Sequence, residues 1–176
     1  MKPRGPLMIE HRLIEKVLSV AKRRVESVAE KGYDPVFIET IVDFIRMYSD
    51  RTHHGKEEEI LFAALSKKRL DAEDAHLMEE LIEEHRQSRA KVKELAALNE
   101  QFKQGTTAVV SKIVEIVLWL AAFYPAHIKK EDTAFFPHTE RYFSNEELDE
   151  MLRHFWEFDR KMIHEKYQGV YESITN

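Results

Sequence analysis

The chain contains no cysteine. That excludes disulfides, thiol catalysis and iron–sulfur ligation by its own side chains, and it leaves the redox compartment open. Glycine and proline are scarce, five of each in 176 residues. So few helix breakers, set against many Ala, Leu, Glu and Lys, favour long helices. There is no basic excess: 27 Lys and Arg stand against 32 Asp and Glu, a net charge of −5. The positive field that nucleic-acid binding needs is therefore missing. So are a glycine-rich phosphate loop and a Ser-His-Asp arrangement. The opening MKPRGPL is basic, but no apolar segment follows it, so it does not read as a signal peptide. The most apolar run, 113–126, is short and carries Glu115, and it reads as a buried helix rather than a membrane span. Together these features predict a single cytoplasmic domain over residues 1–176, with neither nucleic acid nor membrane as a partner.

Breakers and caps divide the chain into about five helical stretches. The first covers about 7–31 and stops at Gly32. Asp34-Pro35, a good N-cap and N1 pair, opens a second that runs to about 68. Asp71 caps a third to about 103, and Gly105-Thr106 separates it from a fourth that ends before Pro137. Ser144 followed by Glu147 is a capping-box pattern and opens a fifth helix over about 145–173. The predicted fold is all-α: an antiparallel up-down four-helix bundle over about 7–137 with an additional C-terminal helix.

Four of these helices carry an apolar stripe at helical spacing, and histidine interrupts each stripe. His11 interrupts the first, His54 the second, His85 the third and His127 the fourth. Glutamate interrupts two of them again, at Glu58 and Glu131. A stripe is the face that turns into the bundle, where an unpaired polar group costs free energy. Residues four apart lie on one helix face, so His54 with Glu58, and His127 with Glu131, each aim an imidazole and a carboxylate at the same point. His53 and Glu57 share this spacing, but continuing their stripe passes through Asp43, Arg46 and Asp50, which favours His54 and Glu58. A single histidine on an apolar stripe is more often a satisfied core residue than a ligand, but coincidence on four helices is a poor explanation. Imidazole and carboxylate without thiolate suit iron, and less well manganese or zinc. Six side chains exceed the four that a structural zinc needs and suit two metals with an open position.

The stretches EHRLIEKVL around His11, HHGKEEEILF around His54 and Glu58, EEHRQSR around His85, and HIKKEDTAFFP around His127 and Glu131 resemble the hemerythrin-like (HHE) cation-binding family. The resemblance implies four antiparallel helices and two irons, bridged by oxo and carboxylate groups. It also implies a small oxidant as partner: dioxygen, peroxide or nitric oxide. His11, His54, His85 and His127 would be terminal ligands, and Glu58 and Glu131 would bridge. The chain departs from the oxygen-carrying hemerythrins, whose third helix carries HxxxH, because Arg89 lies four residues after His85. It also places Glu131 four residues after His127, where those proteins have an aspartate five residues on, although Asp132 does stand at that position. One iron then lacks a ligand. His164 on the fifth helix is a candidate to supply it, although it lies one position off that helix's apolar stripe, and His53 and Glu57 are further candidates. Tyr124, one turn before His127, is a candidate to reach a metal-bound species. The alternative function is an iron-binding sensor or storage module without turnover, and a purely structural bundle is a third reading. No catalytic residue is assigned. Phe155, Trp156 and Phe158 cannot all face one core, which leaves the fifth helix a candidate surface for a homo-oligomer.

Overall fold

The computed structural model describes the backbone of residues 2–175 and, within the last helix, side chains as far as Lys166 and that of Gln168. It is 90% helical, and no strand occurs among the described residues. Helix α1 (Arg4–Glu26) continues briefly as Val28–Lys31 and stops at Gly32, whose φ of 75° lies in the left-handed region that glycine tolerates. Helix α2 starts at Pro35, with the Asp34 carboxylate accepting from the Phe37 N–H at 3.0 Å, and runs to Leu65. Helix α3 (Ala72–Lys103) is capped by Asp71, which accepts from the Asp74 N–H at 2.9 Å. Helix α4 comprises Val110–Lys130, Glu131–Phe135 and Phe136–Thr139. It passes two residues beyond Pro137 rather than ending before it, because Pro137 falls in the first turn of the last segment, where its missing N–H costs little. Helix α5 (Asn145–Thr175) opens with the expected capping box, Ser144 N–H to Glu147 at 2.9 Å and Glu147 N–H to Ser144 at 3.3 Å.

Two of these helices are not α-helical throughout. In α2, Ile45–His54 and Glu57–Phe62 are π-helical, and in α4 so is Glu131–Phe135. The sequence explains why. The buried residues of α2 include Ile41, Ile45, His53, Glu57, Leu61 and Leu65, and Ser49 is buried between them. That is a strict four-residue repeat. An α-helix advances about 100° per residue, so each four-residue step overshoots a full turn by about 40°. Over so many steps the stripe would wander off the core. A π-helix holds more residues per turn and keeps it in line. The same device operates on α4, where His127, Glu131, Phe135 and Thr139 are buried at four-residue spacing. An α-helical stripe continued from His127 through Glu131 would next bring Ala134 inward; here Ala134 is half-buried and Phe135 is buried instead.

The core has two parts. One gathers Ile14, Leu18, Ile41, Ile45, Val92, Leu95, Val117 and Leu120, among others. The other gathers Leu7, Leu61, Phe62, Leu81, Phe135, Phe136 and Phe155. On every bundle helix the interrupting polar residues lie between these two sets. His11 falls between Leu7 and Ile14, His85 between Leu81 and Val92, and the polar residues of α2 between Ile45 and Leu61. A polar layer is thus held between two apolar ones. Helix α5 packs across the π-helical part of α2 with Phe155 buried and the Phe158 ring over Gly55, where a Cβ would lie 2.8 Å from its Cζ. Trp156 points outward, 53% exposed. Within Thr107–Tyr142 an 18-residue window is apolar enough to cross a membrane by length and composition, with a mean hydropathy of 1.7. In the fold, Ile113, Ile116, Val117, Leu120 and Ile128 from this segment are buried in the bundle.

Candidate metal centre

The polar layer contains five histidines and two glutamates, each no more than 2% exposed: His11, His53, His54, Glu57, His85, His127 and Glu131. Their donor atoms form two groups, each with all atoms within 4.8 Å of one another. The first consists of His11, His53, Glu57 and Glu131, and the second of His54, His85 and His127. The two carboxylates join them. Glu131 places one oxygen 3.2 Å from His11 Nε2 and the other 3.2 Å from His127 Nε2. Glu57 places one oxygen 3.4 Å from His53 Nε2 and the other 3.5 Å from His85 Nε2. None of these four carboxylate oxygens has a hydrogen-bond partner, and neither do His11 Nε2 and His53 Nε2.

Each imidazole is held from behind by a carboxylate. The Nδ1 of His11 lies 2.7 Å from Asp132, that of His53 2.8 Å from Glu10, that of His85 2.7 Å from Glu58 and that of His127 2.7 Å from Glu84. His54 faces Asp50 more loosely, at 3.4 Å. A carboxylate at Nδ1 fixes the proton there and leaves the Nε2 lone pair turned inward, which is how metal-binding histidines are oriented. A cation steadies every one of these carboxylates in turn. Arg12 holds Asp132, Lys56 holds Glu10, Arg89 holds both Asp50 and Glu58, and Lys130 holds Glu84.

Among these seven buried groups, the two carboxylates with bare oxygens need positive charge. Protons on the histidines supply it when no metal is bound. Burial opposes a charge on His11, but its hydrogen bond to Asp132 and the nearby Glu131 carboxylate outweigh burial and hold its pKa at about 9. For His127 burial is likewise outweighed, by Glu131 and Glu84, and the value is about 10. His54 goes the other way: burial, with the neighbouring His85, His53 and His127, pushes it well below the ordinary imidazole range. It is therefore neutral and already has a free lone pair.

The structure gathers His11, His54, His85, His127 and Glu131 as the sequence reading expected. It departs in one place: Glu57, not Glu58, lies in the layer, and His53 joins His54 there. Glu58 sits outside, 29% exposed, between His85 Nδ1 and Arg89. An α-helix with one wet face would turn Glu58 inward. Here the helix is π-helical, so neighbours such as His53 and His54 are less splayed. It is also covered on its back by α5, so that His53 through Glu57 are all buried. The repeated HxxxE spacing of His53–Glu57 and His127–Glu131, read together with the four-residue repeat, was the available signal. His54 stands with His85 and His127 in the second donor group, where Arg89 offers no imidazole. His164 is exposed and lies in neither donor group. Tyr124 stacks on His54 at 6.2 Å, but its hydroxyl is bound by Ser49 at 3.0 Å and Ser88 at 2.7 Å. Burial pushes that hydroxyl up to about 12, so it stays protonated.

Residues 6–139 match the hemerythrin HHE cation-binding domain. The chain belongs to that family. The match takes in all five histidines and both glutamates of the layer and ends at Thr139, so α5 lies outside it. No curated protein matches the chain. For a hemerythrin HHE domain the donor chemistry fits the cation: nitrogen and oxygen donors only, orphaned carboxylate oxygens at the focus, and imidazoles pre-aimed by outer carboxylates.

Two outcomes follow. Glu57→Gln is expected to abolish stoichiometric metal binding at one or both positions, whereas Glu58→Gln weakens it by about tenfold through His85; metal analysis after dialysis separates them. The second concerns pH. The raised folded-state values of His11 and His127 stabilise the metal-free protein fully below the ordinary imidazole pKa of 6.5, and this is lost as pH rises through about 9 to 10. Chelator-treated protein should therefore melt at lower temperature at pH 9.5 than at pH 7. A flat or rising melting temperature would contradict the protonated cluster.

Proposed function

We propose that this chain is a non-haem di-iron protein whose site binds or reacts with a small oxidant: dioxygen, peroxide or nitric oxide. The observation that carries the reading is the pair of donor groups joined by Glu57 and Glu131. One position has three imidazoles and the other has two, and the same two carboxylates serve both. The two-histidine position, at His11 and His53, is thus one side-chain donor short, which leaves room there for an exogenous ligand. Bound iron would supply Lewis acidity and reversible one-electron chemistry to such a ligand. Mixed imidazole and carboxylate donors favour iron over a thiolate-preferring metal, with manganese and zinc as weaker alternatives.

The rest of the chain orients and encloses. Asp132, Glu10, Glu58 and Glu84 hold the imidazoles at their backs. Phe136 stacks on His11 at 5.8 Å and Phe62 on His85 at 6.0 Å, sealing the layer from the apolar end. A cleft of about 460 Å³ ends at Glu10 and Asp159, and another of about 110 Å³ ends at Asp50 and Ser88. Neither is lined by a donor of the layer. A molecule of a few atoms can pass such packing during thermal motion, while a larger substrate cannot. The same closure favours a second reading, an iron-binding sensor or storage module in which metal completes the fold and nothing turns over. A cytoplasmic setting fits either reading.

Metal analysis of purified protein, with its visible spectrum before and after peroxide, tests the proposal. The expected result is about two irons per chain and a charge-transfer band that peroxide alters. Two irons with a spectrum inert to peroxide and nitric oxide would favour the sensor or storage reading. Well-folded protein that takes up no iron would overturn both.

A further inference from the structure

Of the cations that steady the outer carboxylates, Lys56 is different. Arg12, Arg89 and Lys130 have side chains 52%, 36% and 31% exposed, whereas that of Lys56 is 0% exposed. A buried ammonium has no water to complete its bonds, and it carries three donors to satisfy. One goes to Glu10, and Asp159 of α5 lies 2.7 Å from Nζ. The Phe155 ring, also on α5, lies 5.9 Å from it. Glu10 in turn accepts from His53 Nδ1 at 2.8 Å. A continuous chain therefore runs from Asp159 through Lys56 and Glu10 to His53. The other four histidines depend on no described residue of α5: their carboxylates, Asp132, Asp50, Glu58 and Glu84, are paired within the bundle. Helix α5 also lies outside the residues that match the family.

We propose that Asp159 is a positioning residue for the two-histidine metal position, acting on His53 through Lys56 and Glu10. The proposal rests on the di-iron reading and deepens it: the position with the open side is tuned from the helix that lies outside the matched domain. The physical cause is competition for one ammonium. While Asp159 shares Lys56, Glu10 keeps enough charge density to hold the His53 Nδ1 proton strongly, which raises the basicity of Nε2 toward a metal. Without the Asp159 charge, Lys56 bonds to Glu10 alone, Glu10 becomes a poorer acceptor, and His53 becomes a weaker ligand. The three-histidine position does not feel the change.

The test is an anaerobic titration of the full-length, metal-free chain with ferrous iron, followed by calorimetry. Wild type is expected to show two binding steps. Asp159→Asn should weaken one of them by about tenfold and leave the other unchanged, and Asp159→Glu should restore it. Asp159→Ser serves in its place should the Asn variant fail to fold. Glu165→Gln is the control. It removes the 2.7 Å ion pair between Arg51 and α5, a second contact of the same two helices that reaches no histidine, and it should leave both steps intact. If Asp159→Asn and wild type titrate alike, the positioning role is overturned while the di-iron reading stands. If Glu165→Gln weakens the same step equally, docking of α5 is the cause and the role is likewise overturned. A wild-type chain that takes up one ferrous ion or none overturns the di-iron reading and the proposal with it.

Discussion

Two carboxylates with bare oxygens at the middle of a bundle are the constraint on which the rest of this structure depends. Glu57 and Glu131 are fully buried, and no backbone or side-chain donor bonds their oxygens. An isolated buried carboxylate is costly enough that it neutralises or finds a counter-charge. The protein surrounds the pair with five imidazoles, which bring protons when empty and lone pairs to a cation when loaded. Each imidazole then needs a back-side acceptor, and each acceptor needs a cation. The result is a shell ordered outward from the two glutamates to Arg12, Lys56, Arg89 and Lys130. The apolar clusters on either side keep water from doing the same work more cheaply.

Local helix geometry follows from this. A glutamate at the bundle axis four residues after a histidine and four before an apolar residue, Leu61 or Phe135, forces a four-residue repeat onto α2 and α4. An α-helix cannot keep such a repeat on one face, and the π-helical segments at Ile45–His54, Glu57–Phe62 and Glu131–Phe135 absorb the mismatch. These segments carry His53, Glu57 and Glu131, and His127 lies one turn before the last of them. The wider turn also lets adjacent residues, His53 and His54, serve different donor groups. One helix thereby feeds both positions, and this replaces the second histidine that α3 lacks at Arg89.

Much of this was legible in the sequence, for reasons that also mark where legibility ended. The helix count, the caps at Asp34, Asp71 and Ser144, and the inward faces of α1 and α3 follow from local chemistry and the α-helical period, which those helices obey. His11, His85, His127 and Glu131 were found because they interrupt stripes with a clear wet side opposite. On α2 that contrast vanishes: α5 covers its back, Gly55 and Lys56 are as buried as His53, and burial no longer tracks amphipathic pattern. Choosing Glu58 over Glu57 was a consequence. The place of Asp159, on the helix where His164 seemed the better candidate, rests on a contact distant in sequence that no local pattern encodes.

On the di-iron proposal, His53 and His54 are divided between two metal positions that Glu57 and Glu131 would serve together. Anomalous diffraction at the iron edge, from crystals of iron-loaded protein, tests this most directly. Two separate peaks are expected, one against His11 and His53 and one against His54, His85 and His127, with both glutamates between them. A single peak, or one coordinated by Glu58 in place of Glu57, would contradict it.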